Sequence, residues 1–215
     1  MASRSPTKGA VALSTIRAAG IKSAVSTIQL DVTDEASIVA AAKHVESEFG
    51  RLDVLINNAG IYSQSPLLRE RLMKTLDANL IGAAVMTDVF TPLLLKSSNP
   101  YLLHISSALG SMGVASDAQR SDYGLDARAY RISKAGMNML ALQDSKTLGK
   151  QGVKVFACCP GLVESNLRGE AAEQRSAGGR AGDPDESGRF ILGIVEGRRD
   201  GDVGKFVHKD GVHPW

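Results

Sequence analysis

Long apolar runs are absent from this chain of 215 residues. No stretch reaches the roughly 18 consecutive apolar residues that a membrane-spanning helix needs. The first residues, Met1 to Pro6, contain no apolar segment typical of a secretory signal. An excess of one charge is also lacking, because 25 Lys and Arg residues nearly balance 23 Asp and Glu residues. Without a basic stripe, the sequence argues against nucleic acid as a partner.

Cysteine is almost absent as well. The only two cysteines are neighbours, Cys158 and Cys159, within an apolar stretch. Adjacent cysteines seldom bond to each other, so we expect both to be reduced core residues of a cytoplasmic protein. The four histidines show no spacing typical of metal ligands, and the sequence predicts no metal site.

Helical and extended patterns alternate along the chain, and 43% of its residues are hydrophobic, enough for one domain spanning residues 1–215. Helices are expected at 9–19, 35–49, 70–95 and 127–148 and from 183 onward, strands at 24–30, 52–56, 101–105, 153–158 and 204–208, and loops at 110–126 and 167–182. The alternation predicts an α/β fold, a Rossmann-like doubly wound parallel sheet with helices on both faces, in three layers.

Polar motifs follow four of the expected strands: Asp31, Asn57-Asn58-Ala59-Gly60, Ser106-Ser107 and Pro160-Gly161. In parallel α/β sheets, ligands bind at the carboxyl ends of the strands. The sequence therefore predicts one binding site at this end of the sheet.

Tyr130 and Lys134 lie four residues apart on an expected helix, so both point to one face. An ammonium beside a phenol favours the phenolate, which would lower the pKa of Tyr130 and suit the pair to reducing a carbonyl. Tyr and Lys at this spacing more often form a solvated helix face, so the pair gains weight only from the motifs around it.

Taken together and in this order, the motifs resemble the short-chain dehydrogenase/reductase (SDR) family: Asp31, residues 57–60, Asn79, Ser107, Tyr130, Lys134 and residues 160–161. The stretch 204–215 is similar to carbonyl-reductase-like members from fungi. The resemblance implies that Tyr130 protonates the substrate carbonyl and that Lys134 lowers the pKa of that tyrosine. It further implies that Ser107 stabilises developing oxyanion charge and that Asn79 joins a water to Lys134 in a proton relay.

The resemblance also implies a nicotinamide dinucleotide. Asp31 would accept a hydrogen bond from adenine, although an ordinary turn aspartate is the plain alternative. Asn57 and Gly60 would line the adenosine side. Lys134 would hold the nicotinamide ribose, beside Tyr130 and Asn79. The nicotinamide end would be wrapped by Pro160, Gly161, Val163 and Ser165, where a simple turn is again the alternative.

Arg4 stands where such enzymes choose between the two dinucleotides. An arginine there pairs with a 2′-phosphate, whereas an acidic residue binds the 2′-hydroxyl. Arg4 therefore favours NADP(H) over NAD, with Lys8 in support. The alternative is an arginine in a flexible N-terminal stretch.

One family element is not found in the sequence. Family members open with a strand, a Gly-rich turn and a helix, and the turn cradles the pyrophosphate. We expect an N-terminally truncated fold, lacking the first strand and first helix, with two unpaired strand edges. Such a chain should fold poorly and bind NADP(H) weakly. Two interpretations remain: an NADP-dependent carbonyl reductase, which the intact catalytic set favours, or an inactive remnant that binds partners or forms oligomers.

Three loops, 61–68, 109–126 and 162–182, should determine the substrate, which we expect to be a small carbonyl compound or alcohol. The sequence does not specify it, and a role in fungal secondary metabolism rests on the resemblance alone. The long loop between Ser107 and Tyr130 could hinder helix-to-helix dimer contacts, so a homo-oligomer is possible but open.

Overall fold

The computed structural model describes residues 1–215 as alternating strands and helices. The strands are β1 (Ala2–Ser3), β2 (Ile28–Gln29), β3 (Val54–Asn57), β4 (Tyr101–Ile105), β5 (Lys154–Cys159), β6 (Phe206–His208) and β7 (Gly211–His213). The helices are α1 (Pro6–Ala18), α2 (Glu35–Phe49), α3 (Leu68–Leu76), α4 (Gly82–Leu94), α5 (Met112–Ala115), α6 (Arg128–Thr147), α7 (Ala172–Arg175) and α8 (Pro184–Val195). One turn of π-helix, Asp77–Ile81, joins α3 to α4, so the single long helix expected at 70–95 carries a bulge near its middle.

The strands form two sheets. Strands β1 and β2 pair in parallel, while the other five follow the order β3-β4-β5-β6-β7. All neighbours in the larger sheet are parallel except β6 and β7. No ladder joins β1 to β3, so each of these two strands has one unpaired edge in the structure. Ile56, on the open edge of β3, is exposed.

Apolar side chains cover both faces of the larger sheet and make the fold three-layered. Successive residues of β4 point to opposite faces. Leu102 packs with Phe90 and Leu94 of α4 in one core cluster. Leu103 packs in a second cluster with Ile194 of α8. The predicted α/β architecture is thus confirmed.

The helix boundaries follow local capping signals. The side chain of Asp34 accepts a hydrogen bond from the Ala36 amide at the start of α2. Helix α2 ends at Gly50, whose φ of 71° lies in the left-handed region. Asp183 caps α8, with Pro184 in the first turn. These signals are local in sequence, and the helices they bound match the prediction closely.

Several predicted segments differ from the structure. The strand expected at 24–30 is reduced to β2, because only β1 pairs with it. The stretch 110–126, expected to be a loop, contains α5, and 167–182 contains α7. The antiparallel hairpin of β6 and β7 was not predicted beyond its first strand. Both expected cysteine assignments hold, since Cys158 and Cys159 are buried and unbonded.

None of the helices combines the length and the apolar character needed to cross a membrane. No group of three or more His, Cys, Asp or Glu side chains is arranged to hold a metal ion.

Candidate active site

Helix α6 carries Tyr130 and Lys134 beneath the carboxyl end of β4. The Lys134 ammonium donates a hydrogen bond to the Ile105 carbonyl at 2.7 Å. The same nitrogen lies 5.6 Å from the centre of the Tyr130 ring. Lys134 is only 4% exposed, so the pair belongs to a buried site and not to a solvated helix face.

The pKa values of this pair correct one prediction. Burial raises the pKa of the Tyr130 phenol to about 12, and the nearby Cys159 acts in the same direction. Ser107 and Arg168 lower that pKa without reversing the shift. Burial also lowers the pKa of Lys134 to about 8. In the protein alone, desolvation therefore outweighs any stabilisation of a Tyr130 phenolate by Lys134.

Ser107 stands where β4 leads into a short 3₁₀ turn, Ala108–Gly110. Its hydroxyl accepts a hydrogen bond from the Leu109 amide at 3.2 Å and caps that turn. The same hydroxyl acts on Tyr130 strongly enough to lower its pKa. The two hydroxyl groups predicted to face a substrate carbonyl are therefore neighbours.

Asn79 lies in the π-helical turn and is fully buried. Its amide holds the backbone of Ile61 from both sides, accepting from the nitrogen at 2.7 Å and donating to the oxygen at 3.0 Å. It also donates to the Ser133 hydroxyl at 3.0 Å. Asn79 thereby ties the loop after β3 to helix α6, and the proton relay stays a prediction.

Asn57 has a structural role that the sequence did not reveal. Its side-chain nitrogen donates to the Thr87 hydroxyl at 3.0 Å and lies 3.3 Å from the His104 ring nitrogen. His104 in turn contacts Asp144 at 2.9 Å. This buried network uses the amide that was expected to line the adenosine side, so Asn57 supports the site by joining β3, β4 and α6.

Gly60 faces the catalytic helix. A Cβ atom at Gly60 would lie 3.4 Å from the Asn79 side-chain oxygen and 3.7 Å from the Lys134 nitrogen. Gly60 therefore borders the predicted catalytic pair, and its place on the adenosine side stays a prediction.

The turn after β5 leaves open space beside this site. Gly161 has a φ of +85°, which favours glycine, and a Cβ there would meet no atom within 4 Å. The Pro160 carbonyl accepts from the Ser187 hydroxyl and Val163 bridges to Gly182, so the turn is held in place. Ser165 lies partly buried in the same segment. Such an open, fixed turn fits the nicotinamide end of a dinucleotide.

Arg4 and Asp31 end the two strands of the small sheet. Arg4 is exposed directly after β1. The Asp31 carboxylate accepts from the amide and the hydroxyl of Thr33, and these bonds, with Arg4, hold its pKa below the usual range. Asp31 thus forms the ordinary turn that was its alternative interpretation, and its contact with adenine stays a prediction.

Arg168 organises the loop 162–182, and sequence reasoning missed it. One guanidinium nitrogen donates to the carbonyls of Val163 and Arg175 at 2.7 and 2.5 Å, and Nε donates to Gln174 at 3.0 Å. Across the cleft, the Gln64 side chain donates to the Arg168 carbonyl. The contacts of Arg168 follow no sequence motif, so the sequence alone did not reveal its role.

The C-terminal tail holds the segment that follows Ser107. The hydroxyl of Ser111 donates to the Pro214 carbonyl at 2.6 Å, and the Gly113 amide donates to the Trp215 carbonyl at 3.0 Å. The Trp215 ring stacks on Phe206 of β6. The tail was predicted only as a family resemblance, not as a support for the site.

The site thus places a tyrosine–lysine pair at the carboxyl ends of the parallel strands of a Rossmann-like fold. The family model described as short chain dehydrogenase matches residues 1–176. The chain therefore belongs to the short-chain dehydrogenase family, as its motifs predict.

Relatives and solved structures agree with this family. The chain is 38% identical over 212 residues to the short-chain dehydrogenase/reductase tropE of Talaromyces stipitatus, covering 90% of this chain and 77% of that protein. It is 33% identical over 221 residues to the short-chain dehydrogenase/reductase eupG of a Phoma species, covering 91% and 79%. The crystal structure of NADPH-bound carbonyl reductase from chicken fatty liver is similar with a TM-score of 0.81 and 29% identity, covering 100% of this chain and 86% of that one.

Proposed function

We propose that this protein is an NADP(H)-dependent carbonyl reductase with Tyr130 as its general acid. The observation that carries the proposal is the position of Tyr130 beside both Ser107 and the buried ammonium of Lys134. An inactive remnant has no need for this constellation, and no contact in the structure favours that alternative.

The residues divide the chemistry among themselves. When bound, the nicotinamide dinucleotide supplies the hydride. Ser107 donates a hydrogen bond to the substrate carbonyl oxygen and stabilises the negative charge that develops there. Tyr130 donates its proton to the same oxygen, and its raised pKa keeps the phenol protonated near neutral pH. Lys134, fixed by the Ile105 carbonyl, places a positive charge beside the phenolate that remains.

Arg4 supports NADPH over NADH. Its exposed guanidinium follows β1 and lies near Asp31, which follows β2, and a 2′-phosphate there could form a bidentate pair. Lys8, also exposed, adds positive charge in the first turns of α1. The two buried free thiols are consistent with a reducing compartment such as the cytoplasm.

The substrate class we propose is a small carbonyl compound or the corresponding alcohol. The loops around the cleft contribute both polar and aromatic groups, including Tyr62, whose ring lies 5.7 Å from that of Tyr130. The fungal relatives are consistent with a place in secondary metabolism.

The direct test follows NADPH oxidation by absorbance with a panel of ketones and quinones. Tyr130→Phe should lower kcat by at least about 1000-fold while leaving the melting temperature nearly unchanged, because only the hydroxyl is lost. Retention of activity by Tyr130→Phe would refute its role as acid. Arg4→Gln should weaken NADPH more than NADH, by about tenfold, and equal losses would refute the cofactor preference.

A further inference from the structure

A small cavity lies between helix α3 and the start of α6, beside Tyr130. Its lining includes Arg71 and Thr75 from α3 and residues 126–130 from α6 and the preceding loop. The cavity has about 10 Å³ of space for the centre of a water molecule, which is about the room that one bound water needs. Tyr62 and Ser63 of the loop 61–68 complete the lining, so the cavity adjoins the proposed substrate cleft at Tyr62 and Tyr130.

Two buried polar atoms in this lining have no hydrogen-bond partner: the Thr75 hydroxyl and the Arg71 Nε. Thr75 is 1% exposed, so its hydroxyl has no access to bulk water. Arg71 forms no ion pair with any acidic side chain. A buried polar atom left unpaired is costly, which suggests that both atoms have a ligand in solution.

The start of α6 adds further donors. Ala127 occupies the N-cap position and has no side chain that could accept from the first turn. The amides of Arg128, Ala129 and Tyr130 consequently have no acceptor in the protein. In a helix of 20 residues, these amides also carry the positive end of the helix dipole.

The ligand must be an acceptor. Amide N–H and guanidinium groups only donate, and the Thr75 hydroxyl has no acceptor of its own among its neighbours. A water molecule accepts only two hydrogen bonds, whereas an anion accepts from all of these groups and complements Arg71 and the dipole. The one opposing charge is Asp126, whose side chain is exposed at the rim and whose carbonyl is occupied by the Tyr62 hydroxyl.

We propose that this cavity binds a small monovalent anion of halide size, held by Arg71, Thr75 and the N-terminal amides of α6. The anion caps the helix that carries Tyr130 and Lys134 and fixes its first turn. The site adjoins the proposed substrate cleft at Tyr62 and Tyr130, but Arg71 and Thr75 have no part in the proposed reaction, and the proposal does not depend on that reaction.

The first experiment measures the melting temperature in sodium chloride, sodium bromide and sodium gluconate at equal ionic strength. Gluconate is too large for the cavity and controls for general salt effects. Chloride and bromide should raise the melting temperature along a saturating curve that gluconate lacks. Equal curves for all three salts would overturn the proposal.

Three variants locate the effect. Thr75→Val removes the hydroxyl at constant volume, and Arg71→Gln removes the charge; each should weaken the apparent halide affinity at least tenfold. Arg69→Gln removes an exposed charge from the same helix and should leave that affinity unchanged. If the hydroxyl were simply unpaired, Thr75→Val would raise the melting temperature equally in every salt, and that result would also overturn the proposal.

Crystals grown in sodium bromide give an independent readout. An anomalous peak should lie within hydrogen-bond distance of the Thr75 hydroxyl and the Arg71 Nε. Density for a water molecule alone, without an anomalous signal, would contradict the assignment of an anion.

Discussion

The ammonium group of Lys134 is buried and almost inaccessible to water. Burial lowers its pKa to about 8, from an ordinary value near 10.5 in the unfolded chain. Below pH 8 Lys134 is charged in the folded protein, and the burial of this charge lowers the free energy of unfolding. Between about pH 8 and 10.5 the unfolded chain binds more protons than the folded one, so stability rises with pH and the cost disappears. Tyr130 opposes this only above pH 10, because its pKa is raised to about 12.

Lys134→Met should therefore stabilise the fold while it abolishes activity. At pH 7 we expect the free energy of unfolding to rise by about 1–2 kcal/mol, since the lost hydrogen bond to Ile105 offsets part of the relieved desolvation. Urea unfolding at pH 7 and pH 10 measures the gain, which should shrink at the higher pH. A loss of stability, or a gain equal at both values, would show that Lys134 is not destabilised by burial.

Arg168 gives a second prediction at the scale of one side chain. Lysine cannot reproduce the fork of bonds to three backbone carbonyls, so Arg168→Lys should loosen the loop 162–182. We expect KM for the ketone to rise about tenfold with a smaller change in kcat, because the loop borders the cleft but does not carry the acid.

The control for Arg168 lies in the same loop. Arg180 makes a single bond to the Ala177 carbonyl, so Arg180→Lys should leave both KM and proteolysis unchanged. Cleavage by a glutamate-specific protease at Glu170 and Glu173 should accelerate only in Arg168→Lys. If the two variants had the same KM and the same rate of proteolysis, Arg168 would have no special role in holding the loop.

At the scale of elements, the turn after β4 and helix α6 make an unusually close contact. A Cβ atom at Gly110 would lie 2.4 Å from the Lys134 carbonyl carbon and 2.6 Å from its Cβ. Backbone atoms cannot rotate away as a flexible side chain can. The turn that holds Ser107 and the helix that holds Lys134 are therefore aligned through this glycine.

Gly110→Ala should separate these two elements. We expect a loss of about 1–3 kcal/mol in the free energy of unfolding, together with a kcat at least tenfold lower, because Ser107 and Tyr130 no longer face the same atom. Chemical denaturation and NADPH oxidation measure the two effects. Gly124→Ala, where a Cβ would meet nothing within 4 Å, is the matched control and should change neither. A fully active Gly110→Ala would show that the contact tolerates displacement.

Elements with strong local signals could be predicted from sequence. Helix α2 was predicted with its boundaries because Asp34, the apolar spacing and Gly50 all lie within it or beside it. The 24–30 strand was overextended, because pairing in a sheet depends on a partner strand that sequence patterns do not reveal.

The residues of the site likewise fall into those that the sequence reveals and those that it does not. Tyr130, Lys134 and Ser107 were found through their spacing and their positions at strand ends. The cavity at Arg71 and Thr75 was not found, because it depends on how distant segments pack. The bonds of Arg168 were not found either, because they follow no sequence motif. The upward shift of the Tyr130 pKa was missed for a related reason, since burial cannot be read from the separation of two residues.

At the scale of the whole molecule, the sheet is divided between β1 and β3. The Arg4 and Asp31 strand ends lie on one part, and the catalytic strand ends lie on the other. Residues 1–215 contain no Gly-rich turn between a strand and a helix that could hold a diphosphate. Arg4 and Asp31, predicted for the adenosine end, therefore follow one sheet, and the predicted catalytic residues lie at the other.

The polypeptide of residues 1–215 should consequently bind NADPH weakly. Charge-assisted hydrogen bonds contribute about 1.5–3 kcal/mol each, so a diphosphate held by two fewer such bonds would bind about 100- to 20,000-fold more weakly. Titration of NADPH fluorescence measures the dissociation constant, with a full-length fungal relative as the control. Submicromolar binding by this polypeptide would refute the prediction.

The C-terminal tail makes the molecule its own optical reporter. Trp215 is the only tryptophan, its ring rests on Phe206, and its carbonyl receives the amide of Gly113 a few residues after Ser107. Because Trp215 is bonded to this segment, a displacement of the segment should change the environment of the indole ring. Its emission spectrum and quenching by iodide can therefore follow movements beside the catalytic serine in real time, without a label and without a known substrate.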